Sequence, residues 1–235
     1  MVKMTAYRDD DDGIEIIPFE PRFQDEVVQL FVDGLTPEDL EEDLGATVAK
    51  HQSWYVNYSI SEIGKMHNIW ESFMKRVHED ETTPSNFNYF WVAIDNLKQV
   101  VVGHVGVIMS TYDKSDNLIY HRQDLDPSNV CQLVTISVHR EYRGRHIGRR
   151  LCEAVEKYAL ENGMKQIVLD TLDKMQGARR FYEGCGFKLA KVTKIPIEPS
   201  LGPGEWEDLY LVHYIKLLYT RTLKLLDTLN TIQRV

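Results

Sequence analysis

Cysteine is scarce in this chain of 235 residues, and the three present, Cys131, Cys152 and Cys185, are odd in number and far apart. They form neither a disulfide framework nor a C-x-x-C metal pair, and a reducing compartment is the simplest reading. The eight histidines are dispersed without H-E-x-x-H spacing, so no metal is expected. No apolar run is long enough to span a bilayer, and the acidic run at 9–12 replaces the basic-then-apolar order of a secretory leader. The expectation is a cytoplasmic protein with no membrane attachment. Basic residues are also in deficit, 27 against 36 acidic, for a formal net charge of -9. That excludes a general nucleic-acid binder, which needs a basic footprint to meet phosphates. Asn57-Tyr58-Ser59 matches a glycosylation acceptor, but the secreted context that would give it meaning is missing.

What remains is ordinary globular composition, 43% hydrophobic and 27% charged. It suits one core: a flexible acidic lead-in over 1–13, a domain over 14–218 and a polar, helical tail over 219–235. Residues 14–19 read as a short strand. A helix with Phe23, Val27, Leu30 and Phe31 on one face follows and ends at Gly34. Thr36-Pro37 marks another helix start. Ile60, Ile63, His67, Trp70, Met74 and Val77 recur at helical spacing, predicting an amphipathic helix over 60–77.

Residues 87–94 and 100–109, rich in aromatic and β-branched side chains and separated by Asp95-Asn96, read as a hairpin with bulges at Gly103 and Gly106. The polar stretch 110–129 is long for a connection and reads as a functional loop. Then come a strand (130–138), a helix (143–161), a strand (166–171), a helix (176–185) and a strand (187–195). A Pro/Gly loop (196–204) precedes a last strand-like segment at 206–218.

The stretch richest in chemistry is Val134-Thr135-Ile136-Ser137-Val138 followed by Arg143-Gly144-Arg145-His146-Ile147-Gly148. A strand runs through a short turn into a glycine-rich, basic helix start. Unpaired N–H groups at a helix N-terminus, with the positive end of its dipole, form a ready site for a pyrophosphate. Gly144 and Gly148 would keep side chains out of its way, while Arg143, Arg145 and Arg149 add charge. The bland alternative is a solvated helix terminus. The following helix supplies context, because Ile147, Leu151, Val155 and Tyr158 give it one apolar face, so it packs on a sheet with its N-terminus open.

Taken together, the R-x-x-x-x-G helix start, the strand ending in Leu169-Asp170-Thr171 and the segment ARRFYEGCGF (178–187) resemble the GNAT acetyltransferase superfamily. Within it, FWVAI (90–94), VVGHVG (101–106) and VLDT followed by GARRFYEGCGF are similar to the cysteine-conjugate and aspartate N-acetyltransferase family of animals. The likeness covers 87–189, with weaker echoes at 17–35 and 206–218. It implies an α/β (α+β) GNAT-like fold: a central, mixed, mostly antiparallel sheet, splayed at the cofactor site, with helices on both faces. It also implies acetyl-coenzyme A as co-substrate, held by the backbone of Ile136, Ser137 and Val138 along its pantetheine arm. Arg143, Gly144, Arg145, His146, Ile147, Gly148 and Arg149 would take its phosphates.

Two departures stand out. The superfamily pattern Q/R-x-x-G-x-G/A has His146 at its first glycine; a helix's first turn uses negative φ that histidine adopts, so cofactor binding is expected to persist. The animal family carries an apolar membrane segment before the FWVA strand, where this chain has the polar residues 38–84.

By the same resemblance, Tyr182 is the acid that protonates the departing thiolate, a sensible task for a phenol of ordinary pKa near 10; otherwise it would read as a core neighbour of Phe181. The base stays open among Asp170, His104, the cluster Glu205, Glu207 and Asp208, and a water relay. Cys185, between two glycines with no activating base in view, is not read as a nucleophile.

The expected activity is direct transfer of acetyl to a primary amine, with a small amino-acid-like molecule preferred over a protein, by a monomer or homodimer. The substrate would enter between residues 34–77, the loop 110–129 and the loop before Trp206. The rivals are a non-catalytic acyl-coenzyme A sensor and, least favoured, a nucleic-acid contact through 140–150.

Overall fold

Strand β3 (Tyr89–Asp95) shows why this sheet lies at the centre of the molecule. Phe90, Val92 and Ile94 point to one face and Trp91 and Ala93 to the other, and all five are buried. A strand covered on both sides reads as a continuous apolar run, not an alternation. In the computed structural model, residues 7–8, 12–35, 56–57, 59–61, 64–74, 87–110, 127–194 and 210–218 are described.

Around β3 the order is β1 (Tyr7–Arg8), β2 (Ile14–Pro18), a 3-10 turn (Pro21–Phe23) running into α1 (Gln24–Asp33) and a π-helical turn (Trp70–Met74). After β3 come β4 (Val100–Met109), β5 (Val130–Val138), α2 (Ile147–Glu161), β6 (Gln166–Leu172), α3 (Gln176–Gly184), β7 (Lys188–Lys194) and β8 (Tyr210–Leu217). The strands form one eight-stranded sheet in the order β1-β2-β3-β4-β5-β6-β8-β7. Among the described strands only β5 and β6 are parallel, and they pair at just three positions, Val130 with Gln166, Cys131 with Ile167 and Gln132 with Val168. Beyond Gln132 the two strands have no shared ladder, which is the splay expected of a GNAT-like sheet.

Helices cover both faces. On one, α2 lays Ile147, Leu151, Val155, Tyr158 and Ala159 against Trp91, Val105 and Leu169. On the other, Val27, Leu30 and Phe31 of α1 join Met66, Ile69 and Phe73 over Phe90, Val92 and Ile108. Asn162 ends α2, donating from its side-chain amide to the Tyr158 carbonyl at 2.8 Å.

Several expectations shift here. The 60–77 helix is not continuous: 64–68 form turns and a π-helical turn follows, so Met66, Ile69 and Phe73 face inward while Trp70 is 40% exposed. The buried residues keep the spacing of the expected His67, Trp70 and Met74 but sit one position earlier. The lead-in is partly built into the sheet, since Tyr7–Arg8 pair with β2 and Asp12 binds Arg150 of α2 at 3.0 Å. The two bulges do fall beside the expected glycines, with register shifts opposite Gly103 and between His104 and Gly106. The Thr36 cap, the loops 111–126 and 195–209 and the tail 219–235 lie outside the described residues.

Leu151 is wholly buried where α2 meets the sheet. Leu151→Ala should therefore lower unfolding stability by about 3 kcal/mol, read from urea or thermal denaturation, with far-UV circular dichroism unchanged.

Candidate active site

The short connection between β5 and α2 is fixed before any ligand is considered. A 3-10 turn, Arg140–Tyr142, leaves β5 and buries Tyr142. The Tyr142 hydroxyl donates to Asp95 Oδ2 at 2.7 Å, tying this loop to the far end of β3. Asp95 Oδ1 also accepts from the backbone N–H groups of Leu97 and Lys98. First the Tyr142 hydrogen bond, then these N–H groups and the Lys98 charge, hold the Asp95 carboxyl below its ordinary value; burial opposes them. The Arg143 Nε donates back to the Val138 carbonyl at 3.2 Å, closing the loop on the strand it left.

Gly144 then takes φ +79 and His146 takes φ +60, ψ 8, so the helix begins at Ile147, later than the sequence suggested. This corrects the expectation for His146. It is not in the first helical turn but is the residue before it, in the left-handed region, where a side chain costs roughly 1–2 kcal/mol and glycine nothing. The family's glycine at this position has that physical reason. No side chain caps the N-terminus of α2, and the first intrahelical bond there runs from Arg150 N to the His146 carbonyl. The amides of Ile147, Gly148 and Arg149 thus precede the helical ladder.

Gly148 serves helix packing: a Cβ there would come within 3.0 Å of the Phe181 ring of α3. Arg149 fastens the same contact by donating to the Gly184 carbonyl at 3.2 Å.

These elements bound a cavity of about 600 Å³. Ile136, Ser137, Val138, Arg143, Gly144, His146, Ile147, Gly148, Arg149 and Tyr182 all line it. Arg145 does not; its guanidinium lies 5.1 Å from the centre of the Tyr142 ring and donates to the Asp12 carbonyl at 3.3 Å. Sequence spacing alone could not tell which of three nearby arginines turns away. Lining residues that the sequence did not single out are Met175, Gly177, Ala178, Arg180 and Phe181 of α3 and its approach. The GARRF segment was the available signal. Gly34, at the end of α1, also lines the cavity, so the opening reaches through the splay to the opposite face of the sheet.

Tyr182 is buried, with its ring 6.1 Å from Phe187 and 6.2 Å from Tyr214. Cys185 also lines the cavity. Its thiol is held below the ordinary value, chiefly by a hydrogen bond from the Cys152 thiol and further by Arg149 and Lys216, although burial opposes them. The same contact, together with burial, raises Cys152.

Of the base candidates, His104 is completely buried and stacked on Phe90 at 5.6 Å. Burial pushes it down to about 3, so it is neutral and a poor proton acceptor at physiological pH. Asp170 sits on β6, where its Oδ1 lies 2.6 Å from His213 Nδ1. Glu205, Glu207 and Asp208 lie outside the described residues.

A splayed parallel pair, an uncapped helix start behind a left-handed turn and a buried tyrosine at one cavity define a class of acyl-transfer protein. The chain belongs to the acetyltransferase (GNAT) family, whose model matches residues 56–187. Among its relatives, "Probable N-acetyltransferase camello" of Xenopus tropicalis is 32% identical over 146 residues, 61% of this chain and 57% of that protein. Human N-acetyltransferase 8B is 31% identical over 126 residues, 54% and 48% of the two chains. N-acetylaspartate synthetase of Xenopus tropicalis is 30% identical over 112 residues, 48% and 35%. The chain thus spans about half the length, or less, of the curated relatives it matches.

The fold is similar to a GNAT acetyltransferase from Staphylococcus aureus (TM-score 0.52, 22% identity, 88% of this chain and 99% of that one). It is likewise similar to yncA of Salmonella typhimurium, solved with its cofactor acetyl-CoA (TM-score 0.52, 13% identity, 88% and 95%). Among the described residues, no helix is long and apolar enough to cross a membrane.

Two outcomes follow from the loop. With its folded carboxyl depressed, Asp95 contributes stability that is complete above the ordinary value of 3.8 and is lost as pH falls through the lower folded one. Tyr142→Phe should melt earlier than wild type at pH 7, with the gap closing as thermal melts are taken below pH 4. At position 146, His146→Gly should keep or raise the melting temperature. His146→Val, β-branched at positive φ, should lower unfolding stability by about 1 kcal/mol or more.

Proposed function

We propose that this chain transfers acetyl from acetyl-coenzyme A to the nitrogen of a primary amine by direct attack. The observation that carries the reading is the convergence on one cavity of the α2 N-terminus, the unladdered edge of β5 and Tyr182. The donor set suits the co-substrate. Backbone N–H groups ahead of the first helical bond, with Arg143 and Arg149 beside them, suit a pyrophosphate. Ser137 and Val138, paired with β4 on one side only, and Ile136 in the bulge beside them offer backbone groups to an amide-bearing pantetheine arm as a neighbouring strand would. The left-handed turn at His146 keeps the backbone path that a glycine would take, which supports retained binding; the imidazole is exposed.

In the proposed step the amine nitrogen attacks the thioester carbonyl carbon. A C–N bond forms, the carbonyl electrons move to oxygen and return as the C–S bond breaks, and the thiolate leaves. A β5 amide would stabilise the oxyanion, and the Tyr182 hydroxyl would give its proton to sulfur. The nitrogen loses one proton, so the products are the N-acetyl amine and the free thiol. Rate enhancement would come mainly from positioning and charge stabilisation, with no covalent enzyme intermediate. A small amino-acid-like amine is favoured, on the sequence resemblance and on the name of the N-acetylaspartate synthetase relative.

The test is release of coenzyme A thiol from acetyl-coenzyme A with pooled primary amines, beside calorimetric binding of acetyl-coenzyme A. Amine-dependent release is expected, falling about 100-fold in Tyr182→Phe with binding retained. Binding without release would point to a non-catalytic acyl-coenzyme A sensor, and absence of binding would overturn the reading of the loop.

A further inference from the structure

Across the sheet from α2 and α3, β6, β8 and β7 carry a connected chain of polar side chains. Asp170 of β6 stands directly opposite His213 of β8 in the ladder. His213 is 1% exposed, with Nδ1 2.6 Å from Asp170 Oδ1 and Nε2 3.0 Å from Thr193 Oγ1 of β7. Gln132 of β5 reaches Asp170 Oδ2 from the other side at 3.5 Å. The chain therefore runs Gln132, Asp170, His213, Thr193 across four neighbouring strands.

Its position is not arbitrary. Gln132 and Val168 form the last parallel pair, and Asp170 is two residues further along β6, just inside the splay. The cofactor-facing stretch of β5 begins at Ile136, four residues beyond Gln132, so Asp170 lies about 7 Å of strand length short of it at ~3.3 Å per residue. The face is set by alternation. Val134, two residues from Gln132, packs with α1, whereas Leu133 and Leu169 pack with α2. Asp170 thus faces the α1 side, the side from which a second reactant could meet a thioester threaded through the splay. The cavity already reaches that side at Gly34.

The hydrogen bonds order the groups. Asp170, at 17% exposure, is the member with an outlet, whereas His213 is sealed. Because a carboxylate oxygen only accepts, His213 donates from Nδ1 to Asp170 Oδ1, and its Nε2 lies within hydrogen-bond distance of the Thr193 hydroxyl. That leaves Oδ2 to accept from the Gln132 amide. The register position opposite His213 on β7 is held by Lys191, whose side chain is exposed.

Resting on the proposed amine acetylation, we infer that Asp170 is the group that binds the acceptor nitrogen and takes its proton, with His213 and Thr193 as positioning residues behind it. The proton balance closes. As the C–N bond forms, one nitrogen proton passes to Asp170 Oδ2, while Tyr182 supplies one to the leaving sulfur. Solvent then carries a proton from Asp170 back to the Tyr182 phenolate, leaving both groups as they began. A polar chain that merely joined strands would have no need of a carboxylate at position 170, because an amide oxygen also accepts from the imidazole.

That difference provides the test, using full-length protein, acetyl-coenzyme A and the pooled primary amines. Asp170→Asn keeps the shape and can still accept from His213, so thermal melting and acetyl-coenzyme A affinity should stay within about twofold of wild type while thiol release falls about 100-fold or more. Asp170→Ala should be similarly slow and regain activity when formate is added, a response that a purely structural role would not produce. Should Asp170→Asn fail to fold, Thr193→Val serves instead, with turnover expected to fall several-fold at unchanged KM for acetyl-coenzyme A. Wild-type turnover in folded Asp170→Asn or, failing that, in Thr193→Val, or no response of Asp170→Ala to formate, would overturn the assignment. If wild-type protein itself releases no thiol, it is the underlying transferase reading that fails.

Discussion

Strands β5 and β6 share a ladder for three residue pairs and then part. A parallel pair in mid-sheet normally continues, because each unladdered backbone group loses a partner that water or a side chain must replace. Here the interruption comes between two well-held blocks, β1 to β5 on one side and β6, β8 and β7 on the other. Each block has its own antiparallel ladders, and α2, which follows β5, packs on the sheet beside the opening. Each side of the gap is thus held without the missing ladder.

Everything chemically distinctive gathers at that gap. The start of α2 is aimed at it by a loop whose two fastenings, Tyr142 to Asp95 and Arg143 to the Val138 carbonyl, tie back to β3 and β5. α3 closes the other wall, held against α2 by Phe181 packing on Gly148 and by Arg149 on the Gly184 carbonyl. On the α1 side, Ser137 Oγ reaches the Leu30 carbonyl at 3.4 Å, so the first helix is seated on the same divergent strand. The two faces of the sheet thus differ in chemistry: uncapped amides and arginines on one, and the chain of Asp170, buried His213 and Thr193 on the other.

Much of this was legible in the residues. Strand β4 and strand β5 have the ends that the sequence suggested, because their flanks change abruptly from β-branched to polar. The apolar spacing of Ile147, Leu151, Val155 and Tyr158 gave the buried face of α2, since that periodicity is a direct imprint of helix geometry. In the segment 60–77 the spacing was readable but the buried stripe lies one position earlier, because which of two adjacent apolar stripes faces the core is set by tertiary packing.

The site divides in the same way. Sequence by itself pointed to the family, and to the proposed phosphate loop and Tyr182 as candidates, because these depend on local order: which glycine follows which strand, and which helix follows which turn. Tertiary structure alone decided that His146 adopts a left-handed backbone, that Arg145 stacks on Tyr142 away from the cavity, and that His104 is sealed beneath Phe90. It also brought Asp170, Thr193 and His213 together over more than forty residues of chain, through the pairing of β6 and β7 on either side of β8. Backbone sign, side-chain direction and cross-strand neighbours are set by packing between distant segments, and no local pattern of residue types encodes them.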